Sequence, residues 1–188
     1  TLMVNMPAAE AAVTMARERN FADRVGIHLN LTSGMPLTEA IRKEPLFCDA
    51  EGAFHAAFHS KARMRLSMKP ELVALIREEL SAQLSKYAAF DLPLWHVDSH
   101  HHIHTDWPVL KALIPLISSY GIHSMRISRN LFEKTSLPNE VYKYFYNRKL
   151  RALPVETTDY FGSFEDYYHF YRSNPQKRTQ KLAGKSLE

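Results

Sequence analysis

A chain of 188 residues with 45% hydrophobic and 23% charged residues has the composition of a globular protein with one core, so we expect a single domain over residues 1–188. Its single cysteine, Cys48, excludes an internal disulfide framework and suits a reducing compartment such as the cytoplasm. No apolar run reaches the length of a membrane span, and the basic cluster behind the net charge of +4, which ends the chain, lacks the regular aromatics of a nucleic-acid surface.

The first elements alternate between strand and helix. Residues 1–6 form an apolar run with β character, and Pro7 opens a helix with an alanine-rich stripe that ends near Asn20. The next strand covers residues 24–31, and one of its faces carries Gly26, His28 and Asn30. His28 is as consistent with a core histidine that makes one hydrogen bond as with a functional residue.

A long helix separates this strand from the next one. Residues 33–60 look irregular and could form one wall of a substrate cleft or a packed surface loop. From about residue 70 to residue 90 the apolar side chains follow a 3.6-residue period opposite a charged face. This pattern predicts an amphipathic helix, the clearest one in the chain.

A cluster of histidines follows this helix. The stretch 95–105 reads W-H-V-D-S-H-H-H-I-H-T, which predicts a short buried strand that ends in a loop. If the strand geometry persists, one face carries His96, Asp98, His100, His102 and His104. Neutral imidazole is the commonest metal ligand, and a neighbouring carboxylate fixes its tautomer. The cluster therefore favours a metal or acid–base site over a purification tag or a solvated loop.

The elements after the cluster add further candidates. A helix is predicted from Trp107 to Tyr120, with Gly121 as its stop. A strand over residues 122–128 carries Arg126, which could meet an anionic or polar group or make a surface salt bridge. The last elements are an aromatic helix, a short strand, a loop and a helix, which begin at residues 138, 150, 158 and 165.

The order of strands and helices predicts an α/β fold. A parallel sheet with covering helices, open or closed into a (β/α)-barrel, is the expected architecture. The carboxyl ends of parallel strands converge on one face, so His28 and the cluster around His100 could meet although they are far apart in sequence. Two imidazoles with a carboxylate or waters would hold one divalent ion, and such an ion equips a site to hydrolyse an amide or ester.

Two stretches resemble the YdjC-like carbohydrate deacetylases, which include the chitooligosaccharide deacetylases. They read V-G-I-H-L-N-L-T-S-G-M-P-L over residues 25–37 and H-V-D-S-H-H-H-I-H over residues 96–104. The resemblance implies a (β/α)-barrel-like fold, a divalent metal that is commonly magnesium, with zinc as the alternative, and removal of acetyl groups from N-acetylated sugars such as chitobiose derivatives. It places the two metal histidines at His28 and His100.

The sequence departs from the family at both ends. The first strand of the family ends in an Asp-Asp pair that supplies a metal carboxylate and the general base, and its last part carries a His-Pro pair. Neither pair occurs in these positions here. We therefore expect the chain to correspond to the middle of a family member, and a fragment with only part of the site would have no activity.

The leading hypothesis is a metal-dependent hydrolase that deacetylates N-acetylated carbohydrates. Asp98 is then the catalytic residue that supports a ligand, and His102 is the alternative ligand or a proton donor. The substrate-binding candidates are Arg126, Trp107, Tyr160 and Phe161, although core packing would explain at least one of the aromatic residues. The alternatives are a metal-dependent phosphoesterase or amidohydrolase on a non-sugar substrate and a non-catalytic sugar- or metal-binding module. A homodimer is left open as the assembly.

Overall fold

The computed structural model describes residues 1–131, 135–173 and 184–186. The chain forms two compact units, residues 1–124 and residues 125–188. Three residues of the basic C-terminal cluster, Lys177, Arg178 and Lys181, lie outside the described residues. The expectation of a single domain over the whole chain stays a prediction.

The first unit contains a small sheet and five helices among its residues. In chain order these elements are α1 (Ala9–Glu18), β1 (Ile27–Leu29), α2 (Glu39–Arg42), α3 (Ala62–Leu66), α4 (Pro70–Ala88), β2 (His96–Ser99) and α5 (Trp107–Tyr120). The strand β3 (Ser124–Met125) follows at the boundary between the units.

The sheet has the order β1-β2-β3, and β1 pairs with β2 in parallel. Its register places Ile27 opposite Val97 and His28 opposite Asp98. Ile27 and Val97 are fully buried, because β-branched side chains pack well on a pleated surface that helices cover. The predicted α/β class, with a parallel sheet and surrounding helices, is confirmed.

Two predicted strands are much shorter than expected. Residues 1–6 contribute a single parallel bridge, in which Leu2 N donates to Gly26 O at 2.8 Å and His28 N donates to Leu2 O at 2.8 Å. The strand predicted over residues 122–128 pairs only at Ser124–Met125. Both apolar patterns arise from burial, since Val4 and Ile127 are fully buried without being part of a strand.

The helix α4 matches its prediction to within two residues at its C-terminal end. Pro70 occupies the first turn, where its missing N–H costs nothing. Three fully buried apolar side chains, Ile76, Leu80 and Leu84, form the stripe toward the core, and each contributes about 1.5–3 kcal/mol by its burial. The same helix also buries two polar residues, Glu79 and Gln83, on the side that faces the loop after β1.

The helix α5 begins and ends where the sequence predicted. Gly121 adopts a left-handed conformation with φ of 63°, and Ile122 N donates to Ile117 O at 3.0 Å. This arrangement satisfies a carbonyl of the last turn, and glycine adopts it without a steric penalty. The helix α5 is therefore joined to β3 by a tight turn.

The second unit contains two helices, α6 (Leu137–Arg151) and α7 (Phe164–Ser173), among its described residues. The strand predicted over residues 150–153 is wrong, because Leu150 and Arg151 complete α6 and a hydrogen-bonded turn follows. Buried Asn147 fixes α6 to the segment after β3, since its side-chain amide bonds both Ser128 N and Ser128 O. None of the helices that the structure describes, in either unit, is long and apolar enough to cross a membrane.

Candidate functional site

The β1–β2 register brings a histidine and a carboxylate together. His28 and Asp98 lie side by side on paired strands, and Asp98 Oδ1 is hydrogen-bonded to His28 Nδ1. The Asp98 side chain is 8% exposed and that of His28 is 20% exposed, so the carboxylate lies deeper than the ring it contacts. A carboxylate on Nδ1 directs the other ring nitrogen, Nε2, away from it with its lone pair available.

His100 is the first residue after β2, and its ring approaches that of His28. The two ring centroids are 5.8 Å apart with an interplanar angle of 65°. The ring of His101 stacks on His100 at 4.0 Å. Burial first, and then the neighbouring rings of His101 and His28, lower the pKa of His100 below its ordinary value. His100 is therefore neutral at neutral pH, which is the form that binds a metal.

The strand alternation predicted through the cluster is wrong beyond Ser99. Residues 100–105 form a tight helical turn in which His101 and His102 have φ of 50° and 58°. His104 is buried, and its N–H donates to Ser99 Oγ at 2.9 Å, whereas His102 is exposed. Once the backbone leaves the β region, side chains no longer alternate, so His102 and His104 do not share a strand face with His100.

Buried polar side chains fix the backbone after β1. Gln83 of α4 accepts a hydrogen bond from Asn30 N at 3.0 Å and donates to Asn30 O at 2.6 Å, so it acts as a substitute for a neighbouring strand. The side chain of Asn30 accepts from Thr32 N at 3.0 Å and donates to Asn5 Oδ1 at 3.1 Å. These bonds hold the segment two residues beyond His28 in one conformation.

The two rings fit a shared ion. Imidazole nitrogens lie about 2.1 Å from a divalent metal, which puts the ring centres of two ligands on one ion roughly 5 to 6 Å apart. The separation of 5.8 Å between His28 and His100 is compatible with this arrangement. Among the described residues, no group of three or more His, Cys, Asp or Glu side chains is placed to hold an ion. This part of the chain therefore brings two imidazoles together.

The remaining predicted residues are placed as follows. Trp107 is the half-buried first residue of α5, seven positions after His100. In the second unit, the guanidinium of Arg126 lies over the ring of Phe161 at 4.6 Å, and Tyr160 N donates to Ser186 O at 3.1 Å. Arg126 and Phe161 were each predicted to bind substrate, and the sequence analysis did not predict that they contact each other.

A second carboxylate–histidine pair escaped the sequence analysis. Asp106 is fully buried before α5, and its two oxygens contact His59 Nδ1 and Arg65 Nε, each at 2.7 Å. His59 lies in the segment before α3 and Arg65 lies in α3, so Asp106 ties both to the start of α5. The one signal in the sequence was an aspartate at the helix N-cap position before Trp107-Pro108.

The chain is similar to known proteins over its whole length. A family model described as YdjC-like protein matches residues 1–188. A carbohydrate deacetylase of Brevibacillus brevis is 38% identical over 122 residues, which are 65% of this chain and 45% of that protein. A carbohydrate deacetylase of Clostridium beijerinckii is 31% identical over 150 residues, 78% of this chain and 57% of that protein. The chain thus spans about half the length of the curated relatives it matches.

A solved structure shares the fold. The crystal structure of a protein from Enterococcus faecalis, provisionally described as a cellobiose-phosphate cleavage protein, superposes with a TM-score of 0.62 at 18% identity. The match covers 98% of this chain and 73% of that one. This similarity supports the α/β architecture.

Proposed function

The chain belongs to the family of YdjC-like proteins, and from this premise we propose that it forms part of a metal-dependent carbohydrate deacetylase. The proposed reaction removes an acetyl group from an N-acetylated saccharide such as a chitooligosaccharide. Curated relatives named carbohydrate deacetylase support the reaction class. The observation that carries the proposal for this chain is the approach of the His28 and His100 rings, together with the hydrogen bond between His28 Nδ1 and Asp98.

The proposed roles follow from the protonation of the side chains. In this proposal His28 Nδ1–H donates a hydrogen bond to Asp98, which leaves the lone pair of Nε2 available to a metal ion. His100, with its lowered pKa, is the second ligand as a neutral imidazole. A bound divalent ion supplies Lewis acidity toward the acetamide carbonyl and a lower pKa for a water molecule. His102, exposed in the adjoining turn, is our candidate for giving a proton to the departing amine.

Substrate binding and cofactor identity belong to the same proposal. Trp107 is proposed to stack on a sugar ring at the site of His28 and His100. Arg126, Tyr160 and Phe161, which belong to the second unit, are each proposed as substrate-binding residues. Magnesium is the proposed ion, with zinc as the alternative.

A homodimer remains a proposal that a sedimentation experiment would settle.

A reducing, cytoplasmic location is proposed as well. Cys48 is buried, and burial first, followed by the carboxylates of Asp49 and Glu79, raises the pKa of its thiol to about 11. The thiol is therefore protonated and unreactive at neutral pH, as expected of a structural cysteine in a cell compartment without disulfides.

The test is acetate release from diacetylchitobiose, measured after chelation and again after addition of magnesium or zinc. We expect His28→Ala and His100→Ala to abolish the metal-dependent release. His123→Ala is the matched control, because His123 is exposed and its ring contacts that of Trp95, which precedes β2, whereas His100 follows the end of β2. A panel of phosphoesters runs in parallel, and release of phosphate without acetate would replace the proposal with a phosphoesterase.

A second measurement separates ligand support from general damage. Asp98→Asn retains the shape of the side chain but removes the negative charge of the carboxylate that contacts His28 Nδ1. Metal affinity should therefore fall about 10–100-fold. Titration with a divalent ion under calorimetry measures this loss without turnover. Unchanged affinity in Asp98→Asn, with affinity lost in His28→Ala, would show that Asp98 has no part in the site.

A further inference from the structure

The net positive charge of the protein is confined to one unit. Residues 125–188 contain twelve Lys and Arg against seven Asp and Glu, whereas residues 1–124 contain twelve against thirteen. The net charge of +4 therefore arises entirely from the second unit. A local excess of one sign raises the concentration of oppositely charged ligands near that surface.

The second unit also has a cavity of about 710 Å³ against one face of α6. Its cationic lining residues are Arg129, Lys143, Arg148 and Arg151, and Glu140 is the one carboxylate among the described residues that line it. Residues 140, 144, 148 and 151 recur at helical spacing, so one face of α6 forms a wall of the cavity. This volume lies within the range of small-molecule sites.

Part of this lining is held in place by other groups. Arg129 Nε donates to Asp166 Oδ2 at 2.5 Å, and Arg129 Nη2 donates to Ser163 Oγ at 2.6 Å. Arg151 donates to Asp159 O at 2.9 Å. Asp166 offsets the charge of Arg129, and three further cations line the cavity beside the carboxylate of Glu140: they are Lys143, Arg148 and Arg151.

We propose that this cavity binds the phosphate group of a small molecule. Guanidinium and ammonium groups that converge on a concave surface are the usual partners of phosphate, and arginine binds its oxygens with two parallel hydrogen bonds. Tyr144, which is 62% exposed at the same wall, offers a ring against which a flat group attached to the phosphate can stack. Lys149 of the same helix is exposed and lies outside the lining, so the cavity gathers only some of the cations of α6.

The proposal is tested by calorimetry on the whole chain at low ionic strength, with inorganic phosphate, AMP and adenosine as probes. Phosphate and AMP should bind saturably and adenosine should not. Binding of phosphate alone identifies the free anion as the ligand, and tighter binding of AMP indicates that Tyr144 stacks on the attached ring. Raising the salt concentration should weaken both.

Variants of α6 identify the cavity as the site. Lys143→Ala and Arg148→Ala should each weaken phosphate binding about tenfold, because each removes a charge-assisted hydrogen bond. Lys149→Ala removes the same charge from the same helix outside the lining and should change affinity by no more than about twofold. Arg148→Lys should restore part of the loss.

Three results would overturn the proposal. The first is the absence of saturable phosphate binding. The second is a loss of phosphate affinity in Lys149→Ala equal to that in Lys143→Ala and Arg148→Ala, and the third is binding of adenosine as tight as that of AMP. Circular dichroism verifies that each variant is folded, which is expected because Arg148 and Lys149 are exposed. The inference does not depend on the deacetylase proposal, since it is measured as binding and concerns residues of the second unit alone.

Discussion

Glu79 offers the sharpest test of how the segment after β1 is held. Its carboxylate is fully buried on α4, where Oε2 accepts from Thr38 N at 2.8 Å and from Thr38 Oγ1 at 2.9 Å. Leu37 N approaches both oxygens at 3.0–3.1 Å, and Gln83 Nε2 donates to Oε1 at 2.8 Å. One side chain thus satisfies two backbone N–H groups, a hydroxyl and an amide.

The cost of removing it can be worked from these bonds. In Glu79→Ala the N–H groups of Leu37 and Thr38 lose their side-chain acceptor, and the amide of Gln83 loses one of its two acceptors but keeps Asn30 O. Each unsatisfied buried donor costs about 1–3 kcal/mol. Leu37 and Thr38 are half-buried, so water relieves part of this, and we expect a loss of about 3–5 kcal/mol in the free energy of unfolding. Such a loss is a large share of the roughly 5–15 kcal/mol that a domain has.

Urea unfolding followed by circular dichroism measures this loss. Glu78→Ala is the matched control, because Glu78 is the exposed neighbour on the same helix and its removal should change stability by no more than about 0.5 kcal/mol. Glu79→Gln should be intermediate, since it keeps one acceptor oxygen but turns an amide N–H₂ toward Thr38. If Glu79→Ala unfolds within about 1 kcal/mol of Glu78→Ala, the buried carboxylate does not hold the loop.

Three further measurements test other parts of the fold. Burial raises the pKa of Tyr87 to about 12, so its contribution to stability is complete below its ordinary pKa of 10.0 and is lost as the pH rises through about 12. Tyr87→Phe should cost about 1–3 kcal/mol in urea at neutral pH and show less alkaline loss than the wild type. Gly121→Ala meets no atom within 4 Å, so only its left-handed backbone opposes the change, and thermal unfolding should show a loss of about 1 kcal/mol. Burial raises the pKa of Asp166, but hydrogen bonds from Arg129 and Ser163 outweigh it and hold the pKa below 3.8. The stability that Asp166 provides is therefore present above that pH and lost below it, and acid unfolding curves should show this loss in the wild type and not in Asp166→Asn.

Helices were the most predictable part of this chain. The signals that predict α4 and α5 are local in the sequence. They are the spacing of the apolar residues, Pro70 in the first turn of α4 and Gly121 directly after α5. Strand pairing depends on partners far away in the sequence, and an apolar segment is buried whether or not it pairs. This is why residues 1–6 read as a strand but form one bridge.

The resemblance predicted two residues that lie near each other in the fold, but not the contacts that they make, and their role as ligands stays a prediction. The resemblance placed metal ligands at His28 and His100, and these rings do approach each other. Which histidine Asp98 would support depended on the register of β1 against β2, and a shift of one residue would have turned Asp98 away from His28. The pair of His59 and Asp106 joins an irregular segment to a helix start, and no local pattern connects them.

The turn after β2 shows why the alternation rule failed where it mattered most. Two successive left-handed residues, His101 and His102, cost roughly 1–2 kcal/mol each, so an isolated peptide of this sequence would avoid the turn. The folded chain offsets the cost with the hydrogen bond from His104 N to Ser99 Oγ and with the contact of His101 Nδ1 to Thr32 Oγ1 at 3.1 Å. His100 lies two residues after Asp98, directly after the end of β2, and the bend directs the next two residues away from the strand. Strain concentrated beside a pair of convergent imidazoles is the pattern expected where a backbone is shaped for a ligand rather than for stability.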